Sequence, residues 1–294
     1  MIRTLPSFLH GHVANSLSCP RVLAAPENIK AGFFKEKDIF SEQRINYVAP
    51  LVSLAEPMLV PKQIFHALKG AIPDLTFEET RQAVRAGYAA LDAFNQKLRR
   101  KGREMLEWCA RTDRPCILIL ARPYHMDPGI GHEIETDLQA CGYPILWVQY
   151  LPIDPSLMDW LFGDDVRGGL IESPFDIRDV WPSSYSGNTN EILWGAKAGA
   201  RLPWVTGVIR LTSYECGMDQ PTFTPVQHSG TLFFSFQDLD STKPAGSVKI
   251  RVETISYYLG RSSASIIKAK KASRPGPFPL LEVSNPTSPN TGLA

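Results

Sequence analysis

The chain has 294 residues, of which 44% are hydrophobic and 21% are charged, so it can bury one large core or two modest ones. Its 31 Lys and Arg residues nearly cancel its 30 Asp and Glu residues, which argues against binding of nucleic acid or an anionic membrane by charge alone. No stretch approaches the ~20 apolar residues of a membrane span, and residues 1–12 lack the apolar core of a signal peptide. We therefore expect a globular cytoplasmic protein.

The N-terminal portion, residues 1–112, is predicted to be mainly helical. Apolar residues recur at helical spacing over 77–110, which predicts one long helix that Gly102 weakens. The shorter elements expected here are helices over 26–34 and 61–68 and a strand over 47–54.

Residues 113–262 alternate short apolar runs with helix-like segments. Strands are expected at 116–121, 145–149, 204–211 and 231–236, and helices at 129–140, 188–202 and 244–259. This alternation predicts an α/β domain with a doubly wound, mostly parallel sheet. The first and third strands are apolar on both faces, which predicts that both are internal.

The segment 263–294 is predicted to be a disordered tail. Beyond Ser273 it is dominated by Pro, Ser, Asn and Thr, and no amphipathic period survives. Such a composition cannot bury enough apolar surface to offset the entropy of ordering.

Two loops that follow predicted strands carry most of the chemistry. Ligands of open parallel sheets bind beyond the carboxyl ends of the strands. Arg122, Tyr124 and His125 follow the first strand, and Cys216 follows the third, so the two loops would face each other if these strands are neighbours. The segment 129–131 lacks the third glycine of a dinucleotide fingerprint, and no Walker motif is present, so we expect no ATP site.

The five cysteines are odd in number and widely scattered, which argues for thiols or ligands rather than a disulfide framework. For Cys19 and Cys216, a structural thiol and a metal ligand both stay open. The structural alternative is favoured for Cys109, Cys116 and Cys141. His10 and His12 are a weak metal signal without a third ligand nearby.

Five ordered strings over residues 15–259 carry a family resemblance. They are NSLSCPRVLAAPENIKAGF, ARPYHMDPGIGHEI, NTNEILWGAKAGAR, SYECGMDQPT and DLDSTKPAGSVKIRVETISYYL. Together they resemble acyl-CoA dehydratase activase-related proteins, whose C-terminal region is similar to the dehydratase component of 2-hydroxyacyl-CoA (2-hydroxyglutaryl-CoA) dehydratases.

The resemblance implies Rossmann-like lobes that hold an iron-sulfur cluster of the [4Fe-4S] type on cysteine thiolates. Cys19 and Cys216 would be ligands in this chain. The loop with Arg122, Tyr124 and His125 would face the cluster or an acyl-CoA substrate, and the helix that begins near Asn188 and Glu191 would close the pocket. The partners implied are other dehydratase subunits and a separate ATPase activase of the actin and sugar-kinase superfamily.

The chain departs from that family pattern in two places. It has no cysteine before Cys19, and it passes from Gln227 almost directly into a strand where most of a helix is expected. We therefore expect a truncated relative. The leading hypothesis is an iron-sulfur, electron-transferring component of a lyase-type dehydratase system. The alternatives are a non-catalytic assembly or regulatory fragment without the cluster, and a metal-free binder of CoA or a nucleotide.

Overall fold

A computed structural model describes residues 1–212, 216–237 and 245–281; the expectations for 213–215, 238–244 and 282–294 lie outside these ranges. The elements are β1 (Ile2–Thr4), α1 (Pro20–Phe34), α2 (Ile39–Glu42), β2 (Val52–Ser53), α3 (Val60–Leu68), α4 (Phe77–Thr112), β3 (Cys116–Leu120), α5 (Ile134–Ala140), β4 (Ile145–Trp147), α6 (Pro155–Arg167), α7 (Gly187–Arg201), β5 (Val205–Leu211), α8 (Thr224–Gln227), β6 (Leu232–Phe236) and α9 (Ala245–Ala272). Short 3₁₀ turns lie at Pro123–Met126, Val148–Tyr150 and Gly217–Phe223. Among these described residues, no helix combines the length and apolarity that crossing a membrane requires.

Four parallel strands form the main sheet, in the order β4–β3–β5–β6. Every residue of β3 and β5 is buried. Because successive side chains of a strand point to opposite faces, Leu118 and Val208 pack with α7, whereas Ile117 and Ile209 pack with α5 and α9. The predicted doubly wound, mostly parallel α/β sheet is confirmed, and so are the internal positions predicted for β3 and β5.

The order of the strands defines where a ligand would bind. From β3 the chain crosses to the edge strand β4 and then returns to the other side of β3 to form β5. The connections therefore leave β3 and β5 in opposite directions, and the carboxyl ends of these two strands form a topological switch point. The loops that contain Arg122 and Cys216 both begin there.

The long helix α4 runs unbroken through Gly102. A capping box joins Thr76 and Glu79 at its start, and its 36 residues span about 54 Å. The predicted long helix is confirmed, and it has no break at Gly102, where the glycine permits a close approach. A Cβ atom at this position would lie 1.9 Å from the carbonyl oxygen of Tyr150.

Several boundaries differ from the predictions for local reasons. Helix α5 begins at Ile134 because His132 and Glu133 before it adopt left-handed backbone angles, with φ of 51° and 55°. Strand β4 ends at Trp147 because the next residues form a 3₁₀ turn. Helix α6 was not predicted; it starts at Pro155, after Asp154 whose side chain caps the N–H of Leu157.

The C-terminal residues also differ from the expected tail at 263–294. Helix α9 continues to Ala272, because Ile266 and Ile267 are buried and Lys270 donates to three carbonyl oxygens around the end of α7. The chain then lies against the core as far as residue 281, where Phe278 packs on the hydrophobic cluster. The predicted domain boundaries at residues 112 and 262 stay predictions.

Candidate functional site

A buried arginine and a thiol meet at the switch point. Arg122 follows β3, and its Nη2 donates to Sγ of Cys216 at 3.1 Å and to Oδ1 of Asp219 at 3.2 Å. The side chains of Arg122 and Asp219 are 5% and 1% exposed, so this is a buried ion pair. The two loops therefore face each other, because their strands β3 and β5 are neighbours.

Asp219 is the centre of this polar cluster, although no sequence pattern had singled it out. Besides Arg122, its carboxylate accepts from the hydroxyl of Thr189 on α7 at 2.9 Å and from that of Thr212 at 3.3 Å. Arg210 donates to its main-chain carbonyl at 3.0 Å. A buried carboxylate must be paired and hydrogen-bonded to be tolerated. One sequence signal could have found Asp219: it is an acid three residues after Cys216, and its loop was expected to face the loop that contains Arg122.

The surroundings of Cys216 favour the thiol over the thiolate. Burial raises the pKa of Cys216, the negative charge of Asp219 raises it further, and Arg122 offsets only part of this effect. The pKa of Arg122 is raised: burial opposes its charge, but Asp219 and Cys216 outweigh burial. Cys216 is therefore a half-buried thiol held by an arginine.

A cleft of about 590 Å³ opens beside this cluster, at the carboxyl edge of the sheet. One wall is a face of α4, and the facing side comes from the N-terminal segment, the turn after β3, the turn after β4 and the start of α7. The lining residues are Leu5, Pro6, Ser7, Phe8, Tyr88, Leu91, Asp92, Phe94, Asn95, Leu98, Arg99, Pro123, Met126, Gln149, Asn188 and Glu191. Both sides of the cleft combine apolar and polar side chains, and α4 contributes Asp92, Asn95 and Arg99 beside its leucine and phenylalanine side chains.

With Asp92, Glu191 is one of the two acids that line the cleft. Burial raises its pKa to about 7, although a hydrogen bond from Ser7 and the charge of Arg99 act in the opposite direction. The hydroxyl of Ser7 donates to its Oε1 at 2.7 Å. The guanidinium of Arg99 lies 5.0 Å from the ring centroid of Phe8, and among the described residues it forms no ion pair within 4.0 Å.

Gln149 adds an amide whose hydrogen bonding is incomplete. Its Nε2 donates to the carbonyl of Ala121 at 3.1 Å. Its Oε1 is buried and has no hydrogen-bond partner within the described ranges. Buried polar atoms of this kind are uncommon in native structures and call for an explanation. A donor on a bound ligand would supply one.

The structure divides the five predicted pocket residues between separate places. Asn188 and Glu191 line the cleft. Arg122 lies in the polar cluster behind it. Tyr124 is 48% exposed, and its ring lies 4.4 Å from that of His125. His125 is buried and lines a separate cavity of about 40 Å³ next to Trp147.

The cysteines do not form a four-thiolate site within the described residues. Cys109 and Cys116 are buried in the core, and Cys141 is exposed where α5 ends, at the opposite edge of the sheet. Cys19 precedes α1 and makes no capping hydrogen bond through its side chain. A [4Fe-4S] cluster takes four such ligands. The described part of this chain therefore does not fit a complete cluster.

Other potential ligands do not complete a metal site either. His12 shares a hydrogen bond of 3.0 Å with the hydroxyl of Ser173, and its ring packs on Phe175. Across residues 1–212, 216–237 and 245–281, no group of three or more His, Cys, Asp or Glu side chains could hold a metal ion. The weak signal from His10 and His12 therefore gains no third ligand there.

These features define an α/β protein with a parallel, Rossmann-like sheet and a ligand-sized cleft at its carboxyl edge. The sequence model of the CoA enzyme activase uncharacterised domain (DUF2229) matches residues 1–151. The chain belongs to this family, which supports an activase-related role. The match ends just after β4, and it includes every residue that lines the cleft except Asn188 and Glu191.

Comparison with curated proteins gives no match. Comparison with solved structures gives none either.

Proposed function

We propose that this chain is the acyl-CoA-binding component of an activase-dependent system of the 2-hydroxyacyl-CoA dehydratase type. The observation that carries the proposal is the cleft of about 590 Å³ at the carboxyl edge of the sheet, whose lining combines apolar and polar side chains. Its volume falls within the roughly 300–1,000 Å³ of small-molecule sites. The family description, which names a CoA enzyme activase, supports the choice of an acyl-CoA as the ligand to test.

The mixed lining of the cleft suits the two parts of an acyl thioester. Leu91 and Leu98 on α4 offer apolar contact to an acyl chain. Gln149 and Asn188 carry amide groups that can hydrogen-bond to the thioester carbonyl and the amides of the pantetheine arm. Arg99 supplies a positive charge toward an electron-rich oxygen. At neutral pH a large fraction of Glu191 is uncharged, so it repels a polar or anionic ligand less than a full carboxylate would.

Calorimetric titration with hexanoyl-CoA and with free CoA tests this proposal. We expect hexanoyl-CoA to bind the wild-type chain and Arg99→Met to weaken binding roughly tenfold, which corresponds to about 1.4 kcal/mol. Arg100→Met is the matched control, because Arg100 is the exposed neighbour on the same helix and does not line the cleft; its affinity should stay within about twofold of wild type. No binding by the wild-type chain would reject the proposal and favour an assembly or regulatory role.

We also propose, as a second candidate, that Cys19 and Cys216 contribute two ligands to an iron-sulfur cluster completed by a partner. The supporting observation is a series of contacts at the start of α7. Leu17, two residues before Cys19, pairs with Ser186, and Thr189 bonds to Asp219 beside Cys216. Soft thiolates suit iron, and a bound cluster would supply one-electron chemistry. The partners proposed are dehydratase subunits and a separate ATPase activase.

Iron and sulfide analysis after anaerobic co-purification with a dehydratase subunit tests the second candidate. Cys19→Ser and Cys216→Ser should each lower the iron content of the complex, because a hydroxyl is a poor ligand for iron in such clusters. Cys141→Ser serves as the control, since Cys141 lies exposed at the opposite edge of the sheet. Equal iron in all three variants would reject both ligand assignments.

A further inference from the structure

Residues 275–281, named here the C-terminal strap, lie across the end of the molecule opposite the cleft. Phe278 inserts between Trp160 of α6 and Trp204, which directly precedes β5. Its ring centroid lies 5.4 Å from that of Trp160 and 5.2 Å from that of Trp204, and both pairs are edge-to-face. This geometry is favourable for aromatic pairs. One phenylalanine therefore anchors the strap in an aromatic groove.

Polar contacts hold the main chain of the strap on both sides of this anchor. Nε1 of Trp160 donates to the carbonyl of Gly276 at 3.2 Å, and the N–H of Leu281 donates to Oε1 of Glu107 at 2.9 Å. Arg103 donates to the carbonyl of Pro279, and its guanidinium lies 4.9 Å from the ring centroid of Phe278. Proline-rich segments bind to aromatic-lined grooves in a similar way.

The strap contacts α4 directly after the part of the helix that lines the cleft. Arg103 and Glu107 both belong to α4. Gly102, next to Arg103, touches the main chain of Tyr150 so closely that no Cβ would fit. The residue before Tyr150 is Gln149, and Arg99 lies one turn before Arg103; both line the cleft. The close contact between Gly102 and Tyr150 therefore lies between the strap and the cleft.

Arg103 joins these elements through charge as well. Its side chain is 4% exposed, and its Nε lies 3.4 Å from Glu107 and 3.7 Å from Asp154 at the start of α6. Among the described residues, its Nε and Nη1 have no hydrogen-bond partner. Phe278 covers this guanidinium. Removing the ring would let water reach the arginine and would weaken its ion pairs with Glu107 and Asp154.

We propose that the strap is a releasable tether that holds α4 against the turn at Val148–Tyr150, and that its release loosens the cleft wall and weakens ligand binding. The effect on the ligand rests on the proposed function, whereas the effect on α4 does not. The strap suits this role because it is short, only one aromatic ring of the strap enters the aromatic groove, and a cavity of about 430 Å³ beside it leaves the groove incompletely filled.

The test uses the full chain with Phe278→Ala, and Leu280→Ala is the matched control. Leu280 lies in the same strap but is 52% exposed and has no aromatic partner among the ring pairs that hold Phe278. In Phe278→Ala we expect amide exchange of residues 99–110 and 148–150 to accelerate at least ~10-fold and the affinity for hexanoyl-CoA to fall several-fold. Leu280→Ala should leave both near wild type.

Two additions make the result decisive. A free peptide of sequence RPGPFPLL, which corresponds to residues 274–281, should restore slow exchange to Phe278→Ala when added in excess. Phe278→Leu keeps apolar volume but loses the ring over Arg103, so it should give an intermediate acceleration and serves if the alanine variant does not fold.

The outcomes separate the tether from the ligand. If tryptophan fluorescence shows that the groove is open in Phe278→Ala while exchange in α4 is unchanged, the tether is refuted. If exchange accelerates and the peptide reverses it, the tether is supported, even where the wild-type chain binds no hexanoyl-CoA. In that last case the proposed function alone fails.

Discussion

Replacement of Gly102 by alanine tests the close contact between α4 and the turn after β4. The new Cβ would lie 1.9 Å from the carbonyl oxygen of Tyr150 and 2.8 Å from its carbonyl carbon, so α4 or the turn must move by roughly 1.5 Å to reach an ordinary contact distance. Alanine gains up to about 1 kcal/mol in helix propensity, but overpacking against main chain costs ~1–3 kcal/mol or more. We expect a net loss of about 1–2 kcal/mol in the free energy of unfolding.

Gly87→Ala supplies the matched control, because Gly87 lies in the same helix and a Cβ atom added there would meet no described atom within 4 Å. It should stabilise the chain by about 0.5–1 kcal/mol through helix propensity alone. Urea unfolding followed by circular dichroism measures both variants. Opposite signs for the two substitutions support the contact. A Gly102→Ala chain as stable as Gly87→Ala would show that α4 does not approach residue 150 so closely.

Three further outcomes are expected. Between pH 4.5 and about 7 the folded chain still holds the proton of Glu191, whereas the unfolded chain has released it. The free energy of unfolding of the wild-type chain should therefore fall as pH rises through this range. Glu191→Gln should lack this part of the pH dependence when urea unfolding is measured at both ends of the range. Lys270→Met leaves three carbonyl oxygens without their donor and should lower the free energy of unfolding by ~2–4 kcal/mol. Lys271→Met removes a half-exposed ion pair and should lower it by under ~1 kcal/mol in the same assay. Asp219→Asn removes a charge that raises the pKa of Cys216, so iodoacetamide should modify this thiol at lower pH; an unchanged profile by mass spectrometry would contradict the assignment.

The central sheet could be predicted because its strands are simple apolar runs. β3 is apolar on both faces, and β5 has apolar residues on both faces beside Thr206 and Arg210; strands with apolar residues on both faces are covered on both sides. Helix α6 could not be predicted in the same way, since it is buried through Trp160 and Phe162 on more than one face and has no clear apolar period. The extension of α9 to Ala272 depends on Lys270, whose three acceptors belong to other elements.

The site was only partly predictable, because long-range contacts build it. Glu191 and Asn188 followed from the family resemblance, and both line the cleft. The hydrogen bond from Ser7 to Glu191 joins residues 184 positions apart, so no local pattern reports it. The apolar spacing of α4 predicted a helix but not a cleft wall, since that role depends on where β4 and α7 end.

The pairing of β3 with β5 has a consequence for how the chain is made. Leu118 of β3 pairs with Val208 of β5, which lies ninety positions later in the chain. At synthesis rates of roughly 5–20 residues per second, β5 is synthesised about 5–20 seconds after β3. During that time the edge of β3, with its five apolar residues, is open to other strands, including those of neighbouring nascent chains. A ribosome-bound chain of this protein is therefore a natural substrate for chaperones that bind short apolar segments.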